Sequence, residues 1–128
     1  MMLEDIVFLH PVEAVTLDIG AFQSSLLCSD NAHAMAQADD LFEDFIVCLS
    51  AIEAAWSSGE FERLSSQTEM MTVLSESLGL THSATVAHQL ASLIGTRDDV
   101  ALAAVVARMV RVGEASLASA LEFAYRRM

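Results

Sequence analysis

Between Asp39 and Trp56 the apolar side chains Leu41, Phe42, Phe45, Ile46, Leu49, Ile52 and Trp56 recur at three- and four-residue steps. That spacing is the period of an α-helix with one broad apolar face, and no strand pattern accommodates it. A helix with such a face must bury it against other elements, so the segment predicts a central helix of a helical core.

The punctuation after it continues the same reading. Ser57, Ser58 and Gly59 interrupt the pattern, and Glu60 and Glu62 follow where acidic groups suit the positive end of a helix dipole. A second helix is predicted from about Glu60 to Leu78, closed by Gly79, with Phe61, Leu64, Thr68, Met71, Ser75 and Leu78 as its inward seam. Ser65, Glu69, Thr72 and Glu76 then form a polar outward stripe.

A third helix starts after Thr81 or Ser83 and carries Val86, Leu90, Leu93 and Ile94 up to Gly95, a residue suited to a helix C-terminus. Thr96 and Asp99 have the spacing of a capping box, which starts a fourth helix near Arg97. It runs through Val100, Ala103, Val106, Val110, Leu117 and Leu121 to the C-terminus, with Gly113 as a point where it could kink or split. Arg126 and Arg127 lie at its negative end.

Four helices joined by short connections predict an all-α, antiparallel, up-and-down four-helix bundle. The expected organisation is a single domain, residues 1–128, with a lead at 1–36 and the bundle at 37–128. Within the lead, Pro11 to Leu27 reads as an additional short helical segment packed across the bundle.

Composition narrows the function. Eighteen acidic residues face six arginines, with no lysine, for a net charge of −12. Nucleic acid is excluded as a partner on this ground, because affinity for it comes largely from basic groups that displace counterions. The charge is lopsided: residues 1 to 64 hold twelve acids against Arg63 alone, and residues 65 to 128 hold six acids and five arginines. No basic start with an apolar run resembles a signal peptide. The most apolar later stretch, Val100 to Val110, is broken by Arg108 and falls short of the roughly 20 residues of a membrane span. Cys28 and Cys48 are too few for a disulfide framework and have no zinc spacing. A cytoplasmic protein without membrane insertion, metal or cofactor is expected.

The stretch from Leu49 to Leu121 resembles a histidine phosphotransfer domain of the bacterial phosphorelay type. In that family a helix ends in an acidic turn, here Ala54-Ala55-Trp56-Ser57-Ser58-Gly59-Glu60-Phe61. The next helix bears Ala-His-x-Leu-Lys-Gly and, six residues after the lysine, Leu-Gly. Setting the family's Leu-Gly on Leu78-Gly79 places its histidine on Glu69, its alanine on Thr68, its leucine on Met71, its lysine on Thr72 and its glycine on Val73. The region Leu90 to Leu93 and the start Arg97-Asp98-Asp99 fit the same layout. The packing positions are kept in kind, whereas histidine, lysine and glycine are all replaced.

Those replacements bear on chemistry. In the family an imidazole nitrogen takes the phosphoryl group from a receiver domain's aspartyl phosphate. Glutamate is already negative, a poor nucleophile, and repels the incoming phosphoryl group. The resemblance therefore implies a degenerate phosphoacceptor position at Glu69 and a non-catalytic interaction module, not an enzyme, that binds a receiver or histidine kinase domain in two-component signalling. The plainer reading of Glu69 is an ordinary exposed helix acid.

Ser66, Met70, Val73 and Ser77 form a stripe beside Glu69, and with Thr72 they are the candidate partner-binding residues. The same stripe could instead be a homodimer seam. His82 and His88 are alternative phosphoacceptors; six residues apart, they do not pair as metal ligands on one helix. Asp39, Asp40, Glu43 and Asp44 make a one-turn acidic patch without the Glu-x-x-His pairs of a carboxylate metal site in a bundle. No catalytic triad or glycine-rich phosphate loop is present.

Overall fold

A computed structural model describes residues 31–126, with the side chains of 39–124 and 126. Four helices are present and no strand occurs among the described residues: α1 Asn31–Ser58, α2 Phe61–Ser77, α3 Thr81–Ile94 and α4 Asp99–Arg126. They pack in ring order, α1 on α2, α2 on α3, α3 on α4 and α4 back on α1, as an antiparallel up-and-down bundle. The expected helix between Pro11 and Leu27 lies outside the described residues.

The central helix begins at Asn31, eight residues before the apolar period sets in, so residues 31–36 belong to α1 and not to a separate lead. Ala32, Ala34, Met35, Ala36, Gln37 and Ala38 explain the extension: they are strong helix formers that need no apolar stripe to propagate an existing helix.

Two tight turns fold the chain back. After α1, the Glu60 N–H donates to the Ala55 carbonyl at 2.9 Å and the Gly59 N–H to the Trp56 carbonyl at 3.2 Å. After α2, the Leu80 N–H donates to Ser75 at 2.8 Å and the Gly79 N–H to Glu76 at 3.1 Å. Both are Schellman closures, and both glycines hold the left-handed backbone that such a closure requires, φ 70° at Gly59 and 71° at Gly79. Leu80, the residue after the second turn, is fully buried and also occupies the N-cap of α3. Neither Thr81 nor Ser83 caps that helix; Ser83 points inward instead.

The third connection departs from expectation. Gly95 is right-handed at φ −73°, and the left-handed residue is Arg97 at φ 58°. The Thr96 hydroxyl turns back to donate to the Leu93 carbonyl at 2.7 Å, so the Thr96/Asp99 capping box does not form. Asp98 caps α4 in its place, its Oδ1 accepting the Ala101 N–H at 3.1 Å. An aspartate at the N-cap serves that N–H as well as threonine would, and the helix starts two residues later than expected, at Asp99.

The core is a single cluster. Phe42, Phe45, Leu49 and Ile52 of α1 meet Leu64, Met71 and Leu74 of α2, Val86 and Leu90 of α3, and Leu102, Val106, Met109 and Val112 of α4. Two polar side chains of the α2 seam are buried within it. Thr68 donates to the Leu64 carbonyl at 2.7 Å, and Ser75 pairs with Ser83 of α3 at 2.9 Å, so both hydroxyls are satisfied.

Several expected core residues lie outside. Ile46 and Phe61 are exposed, Phe61 standing edge-on to Trp56 with ring centroids 6.3 Å apart. Val100 is 82% exposed and Ala103 also faces out. On α4 the buried stripe runs Leu102, Val106, Met109, Val112, Ser116 and Ala120, rotated from the one the apolar residues suggested. Gly113 does not split α4, which is continuous for 28 residues.

Candidate functional site

The outer face of α2 is built from two rows of residues. Ser66, Met70, Val73 and Ser77 follow one another at four, three and four residues and so share a stripe. Glu62, Glu69 and Glu76 are seven apart and form a second row beside it. All seven are exposed, Met70 at 51% and Val73 at 58%. Glu69 thus stands in mid-helix, directly next to two uncovered apolar side chains. Thr72 sits closer to α3 than the outward stripe predicted: it is half-buried, and its hydroxyl donates to the Thr68 carbonyl at 3.1 Å. Ser65 is likewise half-buried.

A third row lies on α1. The Cys48 thiol donates to the Gln67 carbonyl at 3.1 Å, which fixes this level of α1 against this level of α2. Leu49, one residue on, faces α4 instead, where it meets Gly113. On the side of Cys48 away from Leu49 runs the stripe Asp40, Asp44, Val47 and Ala51, again at four-, three- and four-residue steps. Val47 is 62% exposed and both aspartates are exposed. Sequence reading missed Val47 because it falls outside the apolar period of α1 and attracts notice only once α2 is placed beside it.

The outer face thus carries an exposed apolar pair, Met70 and Val73, with the glutamate row beside it on α2, while exposed Val47 and the aspartates Asp40 and Asp44 share the outward stripe of the neighbouring α1. Residues 39 to 78 carry nine acidic groups and one arginine, whereas residues 81 to 126 carry four and four. The one arginine, Arg63, lies at the far end near the Gly59 turn, with Nη1 3.9 Å from Glu60 Oε2.

The histidines lie elsewhere. His88 on α3 is exposed, its Nε2 3.6 Å from Glu76 Oε2, over a cleft of about 320 Å³ lined by Ser75, Gly79, Thr81 and Thr85. His82 is half-buried, with Nε2 3.5 Å from Arg108 Nη2. Arg108 also donates to Gln89 at 2.8 Å. No cluster of three metal-ligating side chains exists among the described residues. No described helix is long and apolar enough to cross a membrane. Burial pushes the Cys48 thiol up to about 11, which keeps it protonated and unreactive.

Comparison with known protein families, with curated proteins and with solved structures gives no match in any of the three.

Proposed function

We propose that the chain is a phosphotransfer-like interaction module of two-component signalling that binds a receiver or histidine kinase domain through the outer face of α2 without relaying phosphate. The observation that carries the reading is the placement of Glu69. It is exposed at the middle of α2, next to Met70 and Val73, in the position that the resemblance gives to a phosphoacceptor histidine.

A carboxylate there cannot take up a phosphoryl group as an imidazole does, because it is anionic and repels the incoming phosphate. Thr72, in the place of the family lysine, brings no positive charge. What the site retains is an accessible surface: about half of each of two large apolar side chains lies open to solvent, a feature of protein contacts.

Titration of the isotope-labelled chain with a receiver domain tests this reading. Amide signals of Met70, Thr72 and Val73 are expected to shift, and no labelled histidine is expected after incubation with a phosphorylated receiver. Absence of binding to every receiver and kinase domain encoded beside the protein sinks the proposal. Acid-labile label on His88 or His82 replaces it with an active relay.

A further inference from the structure

We infer that the partner of this face presents an apolar centre rimmed by lysine and arginine side chains, a basic amphipathic protein surface and not a second copy of this chain. The inference rests on the reading of the α1/α2 outer face as a docking surface and adds the chemistry of what docks there.

Charge complementarity carries it. Met70 and Val73 form the uncovered apolar centre on α2, and Val47 is exposed on the adjacent α1. Glu62, Glu69 and Glu76 stand beside it on α2, and Asp40 and Asp44 lie on the outward stripe of the neighbouring α1, all exposed. No cation interrupts the arrangement at its middle, since Arg63 lies near the Gly59 turn beside Glu60. A partner that covers the apolar centre brings its own rim within a few ångströms of these carboxylates, well inside the screening length of about 8–10 Å at physiological salt. An acidic rim is repelled there and a basic one attracted, and like-charge juxtaposition is a strong filter against wrong partners.

The same geometry disfavours a homodimer through this seam. Two copies meeting face to face across Met70 and Val73 would bring two acidic rims together, with Arg63 as the one cation that each α2 supplies against Glu62, Glu69 and Glu76. The other half of the bundle is charge-balanced over residues 81 to 126, so the selectivity belongs to this face and is not a property of the whole surface. An apolar centre inside a charged rim matches the general anatomy of a protein interface, with steering from the rim and adhesion from the centre.

The test uses the full chain and two synthetic amphipathic helical peptides with the same Leu/Met face, one flanked by Lys and Arg and the other by Glu. The basic peptide is expected to shift the NMR signals of Val47, Met70 and Val73, and to lose affinity steeply as salt rises. Met70→Ser combined with Val73→Ser should weaken it about tenfold or more, the effect of removing a central contact. Glu69→Lys combined with Glu76→Lys should weaken it to a similar degree. Val100→Ser, at a still more exposed apolar residue on α4, should leave it unchanged.

The inference is overturned if the two peptides bind alike, if neither binds, or if the shifts centre on α4. It also falls if sedimentation shows a dimer that Met70→Glu dissolves. A receiver that docks on Met70 and Val73 while the basic peptide is ignored removes the inference and leaves the proposed function standing. The basic peptide bound at this face, with no receiver or kinase domain bound, does the reverse.

Discussion

The side chain of Leu49 fills the space that a β-carbon on Gly113 would need, its Cδ1 only 2.9 Å and its Cδ2 3.0 Å from that position. At Gly113 α4 therefore lies so close against α1 that a β-carbon would need Leu49 to move. Alanine there improves helix propensity by about 1 kcal/mol but must displace a buried leucine, which costs roughly 1–3 kcal/mol. Gly113→Ala is expected to destabilise the protein by about 1 kcal/mol in urea unfolding. In a Leu49→Ala background, where the space is vacated, the same change becomes stabilising. A stabilised single variant would show that the contact is not tight.

The glycines of the connections separate by backbone conformation. Nothing approaches the position of a β-carbon at either Gly59 or Gly95, so substitutions there report φ alone. Gly59→Ala is expected to cost about 1 kcal/mol because φ is 70°, whereas Gly95→Ala, at φ −73°, should stabilise by about 0.5 kcal/mol. Arg97→Gly should also stabilise, since it relieves a left-handed non-glycine residue at φ 58°. Thermal midpoints of the three variants check the order.

Ser75 and Ser83 satisfy each other at 2.9 Å inside the core. Removing one hydroxyl leaves the other buried with its main partner gone, a loss of about 1–3 kcal/mol, while removing both takes the unmet demand away. Ser83→Ala alone should destabilise more than Ser75→Ala and Ser83→Ala together. A double-mutant cycle with additive losses would refute the pairing.

The buried Cys48 thiol makes stability depend on pH in the alkaline range. Its folded value of about 11 lies above the usual 9.0, so the neutral form is favoured by folding. Below pH 9 both states are protonated and the contribution is intact. Between about 9 and 11 the unfolded thiol ionises first, which stabilises the unfolded chain, and the contribution is lost as pH rises. Urea unfolding of the parent should weaken over that window more than unfolding of Cys48→Ala. Reaction of Cys48 with a thiol reagent should be slow until the chain unfolds.

The peptide-level features of the fold were legible in the sequence. The apolar period of Asp39 to Trp56 and the glycines at 59 and 79 act over one or two turns of chain, so the helices and their Schellman closures follow from residues in hand. The outward row of Glu69 with Met70 and Val73 was legible for the same reason, because stripe membership on one helix is set by residue spacing alone.

What sequence spacing could not decide was which apolar positions another helix would cover. Ile46 and Val100 satisfy a helical period as well as Ile52 and Val106 do, yet they are exposed because none of the described helices covers them. Val47 is 62% exposed although the residue after it, Cys48, is buried against Gln67 of α2. Gly113 reads in isolation as a weak point of a long helix, and in the bundle it is the place that admits Leu49. Local propensity thus determined where the helices begin, turn and end. The relative rotation and approach of those helices, fixed by the mutual fit of side chains far apart in sequence, decided which residues form the core and which stay exposed.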